Sequence, residues 1–426
     1  MDAWQRAFKC AAVSDGKIME TNSSNILEVQ PRPQISLWTI FSSYFIIGLT
    51  AFGMAIIQKI RAMVIDKRWL SEEEVNEGMG MVQLYPGPLM VDFSAYVGYK
   101  LRGVIGAILA TTGFILPTFV LMSVLSAFYF SAGNLPWVHP LFIGVEALVV
   151  GIVLNVTLEM GGRNIQNRTQ AVIMLLSFAA LLFKVNSIFI VLVALALGAW
   201  LIRPASAVGK NSGAGKPAPK VEPVSLKRWA GIGVVVVVIL IVVAFSWNLR
   251  SEMGRLALSL FKIGSVAFGN GYTIVSLLQV EAVEAHPWLT LSQFADGLAL
   301  GQITPGSILI IATFLGYKLA GFWGGLLATF AIFSPSFAMT LVFTEVFARV
   351  RNLKAVRGAL AGVMASFVGL LAVVLLQLGG VALTSPAAFA LASAAFVAVR
   401  WFKIDILWIF LGGLAVWGGL LVLGLV

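Results

Sequence analysis

Two short stretches carry the residue types that could hold a small charged solute. Val82-Gln83-Leu84-Tyr85-Pro86-Gly87-Pro88-Leu89 returns in altered form as Gln302-Ile303-Thr304-Pro305-Gly306-Ser307, with 219 residues from Gln83 to Gln302. Each sets an amide (Gln83, Gln302), a hydroxyl (Tyr85, Thr304) and a Pro-Gly pair inside an otherwise apolar helical run. Proline removes a backbone donor and clashes with the preceding turn, and glycine frees the backbone, so both stretches interrupt a helix. A helix that restarts after such a break presents unpaired N–H groups and roughly half a positive charge. Two such ends facing one another would make an anion site. Gln83 and Gln302 would add amide donors, Tyr85 and Thr304 hydroxyls, and Ser307 a cap or a donor. The plainer alternative is that Gln and Tyr only satisfy the backbone groups that the breaks release.

Charged residues inside apolar runs are few. Asp92 stands one turn past the first break without an acidic counterpart at the second, and Glu146 and Glu159 lie in the segment 140–160. A carboxylate within a membrane segment suggests a function by default, which makes Asp92 and Glu146 proton-coupling candidates. Glu159 closes its segment and reads as structural. Lys100 and Lys318 end the arms after the breaks, where a cation complements a helix C-terminus. Lys59 and Arg61 read as snorkelling side chains. The two histidines, His139 and His286, sit beside prolines in predicted loops and read as ordinary loop residues. The single cysteine, Cys10, excludes an intrachain disulfide and a cysteine-based metal cluster, so no metal and no cofactor is expected.

The elements that must position these residues are membrane helices. The chain has 426 residues, is 59% hydrophobic and only 11% charged, where a soluble protein carries about 25% charged residues. Many runs reach the roughly 20 apolar residues that cross a bilayer. The net charge of +10 is therefore read by its distribution over loops, and no nucleic-acid partner is implied. Residues 1–36 form a polar tail without the pattern of a signal peptide. Ser71 with Glu74, and Thr290 with Gln293, have capping-box spacing and predict helix starts leading into each break. Pro88 is the predicted first residue of the helix after the first break. Residues 203–228, with Pro204, Gly209, Pro217 and Pro219, form a flexible basic linker, and 229–247 is one further apolar helix.

The second half then repeats the first. Phe268-Gly269 answers Phe52-Gly53, Trp288-Leu289 answers Trp69-Leu70, Gly316-Tyr317-Lys318 answers Gly98-Tyr99-Lys100, Pro335 answers Pro117, and Gly362 and Gly369 answer Gly144 and Gly151. Gly103, Gly106, Gly144 and Gly151 read as packing glycines. Lysines and arginines place the linker, the loop 161–170 and the loop 346–357 in the cytoplasm. The uncharged loop 131–139 is the repeat equivalent of the basic 349–357, so the two halves are expected on opposite sides of the membrane. The expectation is an all-α polytopic membrane protein of two inverted-topology repeats, residues 37–202 and 256–426. Broken or re-entrant helices and the linking helix 229–247 bring it to about 13 membrane segments. The N-terminus is expected in the cytoplasm and the C-terminus outside. Whether the segments 35–60 and 80–100 span or re-enter is open.

The chain resembles the chromate ion transporter family in its long, two-domain form. Trp69-Leu70-Ser71-Glu72-Glu73 ahead of Gln83-Leu84-Tyr85-Pro86-Gly87-Pro88, then Gly98-Tyr99-Lys100, Gly103 and Pro117, carry that resemblance from about residue 37 to 426. It implies transport of chromate, usually efflux that gives resistance, with sulfate as isosteric competitor. It brings Gly53, Gly269 and Asn270 of the Phe-Gly elements to the substrate-binding candidates Gln83, Tyr85, Pro86, Gly87, Pro88, Gln302, Thr304, Pro305, Gly306 and Ser307. The expected function is a secondary carrier of a tetrahedral oxyanion in the inner cell membrane, driven by an ion gradient, and not an enzyme. Its partners are chromate or sulfate and the lipid bilayer, with a homodimer left open. The alternatives are an importer of sulfate or a related oxyanion, and a membrane-embedded enzyme or lipid-handling protein. The latter would want clustered histidines or acids, which two loop histidines do not provide.

Overall fold

The computed structural model describes residues 35–52, 55–132, 138–202, 226–248, 251–269, 272–350 and 354–424. The tail, Cys10, Gly53, Asn270 and the body of the linker lie outside them. The first half runs through α1 (Leu37–Thr50), α2 (Ala55–Asp66), α3 (Glu72–Met81), the two-residue strand β1 (Gly87–Pro88) and α4 (Leu89–Ala132). It continues with α5 (Val138–Asn164), α6 (Arg168–Leu182) and α7 (Ser187–Leu201). The linking helix is α8 (Leu226–Asn248), longer at both ends than 229–247. The second half holds α9 (Glu252–Val266), β2 (Phe268–Gly269), α10 (Tyr272–Gln279) with a π-helical end, and α11 (Leu291–Ile303). A 3₁₀ turn at Ile308–Ile310 leads into α12 (Ile311–Val350), followed by α13 (Lys354–Ala382), α14 (Pro386–Arg400) and α15 (Ile406–Val422).

Local chemistry explains the helix starts. Ser71 and Glu74 form the reciprocal capping box, as do Thr290 and Gln293, each cap contributing about 1 kcal/mol. The exposed Lys59 Nζ donates to the Thr50 carbonyl at 3.0 Å, at the end of α1. Pro88 belongs to β1, and the helix begins one residue later. The flanks of two predicted loops are helical, and their centres, 133–137 and 351–353, lie outside the described residues. His139 lies in the first turn of α5, because Pro140 is tolerated there. Residues 346–350 and 354–357 belong to the ends of α12 and α13.

The two longest helices are not straight. In α4 the backbone leaves helical geometry at Arg102 and Gly103 (φ 62°, ψ −150°), and in α12 at Ala320 and Gly321 (φ 58°, ψ −148°). Residues eight apart in a continuous helix are separated by about 12 Å. Here Gly98 and Gly106 leave each other no room for a side chain, and Gly316 and Gly324 do the same. The chain therefore reverses at Gly103 and Gly321. Gly103 is a turn residue in a backbone region that only glycine occupies comfortably, not a packing residue, and a Cβ there would meet open space. Gly106, Gly144 and Gly151 do pack closely, against Gly98, Trp417 and Ala392.

The arms on either side of each break also lie together. Gly78 of α3 packs on the ring of Tyr96, whose hydroxyl donates to the Glu74 carbonyl at 2.9 Å. Gly297 of α11 packs on Phe314 in the same way. Each break is therefore the tip of a helical hairpin. The segments 80–100 and 302–320 turn back rather than run on.

The outer surface is apolar. Val234, Val237, Ile241 and Phe245 of α8 are exposed, as are Phe189, Trp200, Trp323 and Trp408 elsewhere. Apolar area of this extent requires a bilayer rather than water around it. Five helical segments among the described residues are long and apolar enough to cross a membrane, and five shorter ones are apolar. The linking helix is fastened at its start, where Arg228 lies 3.8 Å from Glu345, which also accepts the Tyr99 hydroxyl at 2.6 Å.

Candidate functional site

The two hairpin tips meet, and each is held by the opposite half. Gly87 and Pro88 pair in parallel with Phe268 and Gly269. Reciprocally, the Gly306 N–H donates to the Ala51 carbonyl at 3.1 Å. Thus each Pro-Gly break is pinned to the other half's Phe-Gly element. The helices after Pro117 and Pro335 brace the tips as well. Thr118 donates to the Pro305 carbonyl at 2.8 Å, and its repeat equivalent Ser336 packs against Gly87. The Gly306 N–H is therefore committed to protein, and not to a solute as the sequence suggested. Gly306 has φ +106° and Gly87 has none of that strain. Gly87 is required for another reason: the Asp92 carboxyl occupies the place where its side chain would be.

Between the tips lies a cavity of about 510 Å³, many times the roughly 30 Å³ share of one water. Of the sequence candidates, Gln83, Pro88, Gln302, Thr304, Gly306 and Ser307 line it. Gln302 is the informative one. It is 8% exposed, and neither its amide nitrogen nor its carbonyl oxygen has a protein partner. A buried unmet amide costs about 1–3 kcal/mol, unless a solute or water meets it. The other hydroxyls are engaged: Thr304 donates to the Leu300 carbonyl at 2.6 Å, and Ser307 accepts from the Leu309 N–H at 3.4 Å.

Tyr85, Pro86, Gly87, Pro305 and Gly269 are beside the cavity without lining it. The Tyr85 hydroxyl shares a hydrogen bond of 2.8 Å with Thr340, and its ring packs on Phe343. Asp92 is fully buried behind the first tip, with Ser336 and Thr340 as polar neighbours and neither oxygen in good hydrogen-bond geometry. Glu146 lies away from the tips and accepts a hydrogen bond from Ser292.

Sequence reasoning missed the wall of the cavity built by α5. Asn155, Glu159 and Arg163 recur every four residues, fall on one face and line the cavity towards its mouth. That polar stripe in an apolar helix was a readable signal. Glu159 and Arg163 form an ion pair at 2.5 Å, with the arginine side chain 64% exposed. Thr273 and Asp405, from the second half, carried no signal of their own and join the lining only through the fold. Among the described residues, no group of three or more His, Cys, Asp or Glu side chains could hold a metal ion.

Paired helical hairpins around a shared cavity, inside a helical body with an apolar exterior, define a polytopic membrane protein. The chromate transporter family profile matches residues 38–199 and 254–418. The chain belongs to the chromate transporter family. It is similar to an uncharacterized transporter of Methanocaldococcus jannaschii, 30% identical over 84% of this chain and 88% of the relative. It is also similar to the chromate transport protein of Pseudomonas aeruginosa, 30% identical over 82% of each chain. An uncharacterized transporter of Bacillus subtilis, YwrB, matches only 33% of this chain but 84% of its own length, at 30% identity. No solved structure matches the chain.

Proposed function

We propose that the protein is a secondary carrier of chromate that binds the tetrahedral dianion at Gln302 between the two hairpin tips. The observation that carries this reading is Gln302, a residue of the cavity lining whose buried amide has no protein partner. An oxyanion oxygen accepts from the amide N–H₂, which relieves the cost of leaving that group unmet. Gln83 faces the same space from the first half. Arg163 at the mouth would attract an anion from solution, and its tie to Glu159 limits the attraction to the entrance. The names of relatives support the solute: those of Pseudomonas aeruginosa and Cupriavidus metallidurans are chromate transport proteins.

The architecture we propose is two inverted repeats, 37–202 and 256–426, joined by the linker 203–228 and the linking helix. The reciprocal pinning of tips and Phe-Gly elements supports a two-fold relation between the halves. The half-length Bacillus subtilis relative supports one repeat as a unit. A two-fold axis in the membrane plane is the arrangement that alternating access uses. The direction is efflux, driven by an ion gradient. The N-terminus is in the cytoplasm, and the cavity opens there, on the side of Arg163 and Arg168.

Proteoliposomes with an imposed pH gradient test this reading. Chromate should accumulate against its gradient, and sulfate should compete. Gln302→Ala should lower chromate flux at least tenfold while the protein purifies in normal yield, a loss of about 1.4 kcal/mol or more. Undiminished flux in Gln302→Ala places the solute elsewhere. Uptake of sulfate with no chromate movement makes the protein a sulfate carrier.

A further inference from the structure

On α11, Ser292 and Asp296 are one turn apart and share a face. Ser292 donates to Glu146 of α5, and Asp296 accepts from the Tyr129 hydroxyl of α4 at 2.6 Å. Two carboxyl groups, one from each half, thus lie side by side, 4% and 3% exposed. The second oxygen of Asp296, Oδ1, is buried and has no hydrogen-bond donor. Two adjacent buried carboxylates cannot both be ionised without a cation or a proton between them. An unmet acceptor oxygen beside a second carboxyl lacks only a hydrogen.

The position of the pair is informative. On α5, the cavity wall runs from Ile152 to Asn164. Glu146 is six residues beyond Ile152, about 9 Å further along the helix and away from the mouth. The repeat gives the same answer. Leu360 and Met364 of α13 line the cavity, and their equivalents 218 residues earlier are Phe142 and Glu146. Where the second half's helix borders open space, the first half's helix is shut. Phe142 and Phe314 pack on the Tyr129 ring at 5.0 and 5.2 Å.

We propose that Glu146 and Asp296 share one proton, and that this protonated pair closes the face of the protein opposite the cavity. Loss of the proton leaves two like charges in contact, and they drive α5 and α11 apart. The proton comes from the solution on that face and returns to it when the gate opens. The other ionisable groups on the elements packed around the pair do not supply the missing hydrogen. Lys318 of α12 is stacked over Phe130 at 5.0 Å. At the end of α10, Glu281 accepts from Ser259 and lies 3.6 Å from His286, and Glu284 accepts from Gln279 and Gln377. Glu159, Arg163 and Asp405 stand at the cavity end of α5 and α15, Lys354 and Arg357 begin α13, and Asp92, Lys100 and Arg102 lie in the hairpin arm of α4. Calling the closed face a gate rests on the carrier reading; the shared proton does not.

Infrared difference spectra of the purified full chain, recorded between acid and alkaline pH without any solute, test the proton directly. The parent should show the carbonyl stretch of a buried protonated carboxyl that disappears on alkalinisation. Glu146→Gln and Asp296→Asn supply an amide N–H in place of the proton, so the pair's part of that band should be lost in each, while any part from the buried Asp92 stays. Ser292→Ala should keep the band and move its frequency. A band unchanged in both amide variants overturns the proposal, as does its absence from the parent. Flux in proteoliposomes is the second measurement. In each amide variant chromate movement should no longer respond to the pH of the solution on that face, whereas an unaltered response overturns the gate. A parent with the band but no chromate flux leaves the shared proton standing and rejects the carrier.

Discussion

At the scale of the residue, the two break glycines do the same work for different reasons. Gly306 adopts φ +106°, where any L-side chain is strained, and a Cβ there would also strike Thr118. Gly87 has ordinary φ and is needed because the Asp92 carboxyl and Ser336 fill its side-chain position. Alanine at either should weaken both stability and chromate binding, and double mutants separate the causes. Gly306→Ala should keep a loss of about 1–2 kcal/mol even with Thr118→Ala, since the backbone strain survives. Gly87→Ala should recover part of its loss with Asp92→Ala, because the obstruction leaves. Thermal unfolding in detergent measures both. Full rescue of Gly306→Ala, or none of Gly87→Ala, contradicts this assignment.

The decisive elements are the hairpins. A helix of 44 residues would be far too long for a bilayer, and the turn at Gly103 divides it into an arm of the hairpin and a long helix. The same turn at Gly321 divides α12. Gly98 and Gly106 then face each other across the turn, as do Gly316 and Gly324. Alanine at Gly98 or Gly106 forces the same two backbones apart, so the second substitution should cost less than the first. The coupling in a double-mutant cycle should fall in the range of roughly 0.5–3 kcal/mol. Gly103→Ala should cost about 1–3 kcal/mol by backbone strain alone, and should add independently to either. Additivity of Gly98→Ala with Gly106→Ala in thermal or denaturant unfolding would contradict the reversal.

For the whole molecule, the proposed two-fold relation with its axis in the membrane makes a prediction about sides. Asn134 and Asn352 are repeat equivalents and lie outside the described residues. Single cysteines at these positions, in a background with Cys10 replaced, report their sides. An impermeant maleimide applied to intact cells should label position 134 and not 352. Labelling of both, or of 352 alone, rejects the inverted arrangement.

Whatever depends on near neighbours was legible in the residues alone. Apolar runs define a membrane protein. Ser71 with Glu74 and Thr290 with Gln293 mark helix starts that the structure reproduces. Pro86-Gly87 and Pro305-Gly306 mark breaks in the chain. The duplication was legible because both copies kept the same glycines and prolines in order. The reversals at Gly103 and Gly321 emerged from the fold, since a glycine that turns and a glycine that packs look alike until φ is known. It alone joined Gly87 to Phe268, Gly306 to Ala51 and Glu146 to the helix of Asp296. These partners are 150 to 255 residues apart, and no local pattern encodes which of many apolar helices will be neighbours. Asp296 carries no signal of its own in the sequence. It acquires meaning only because packing removes water from it and sets a second carboxyl from the other half beside it.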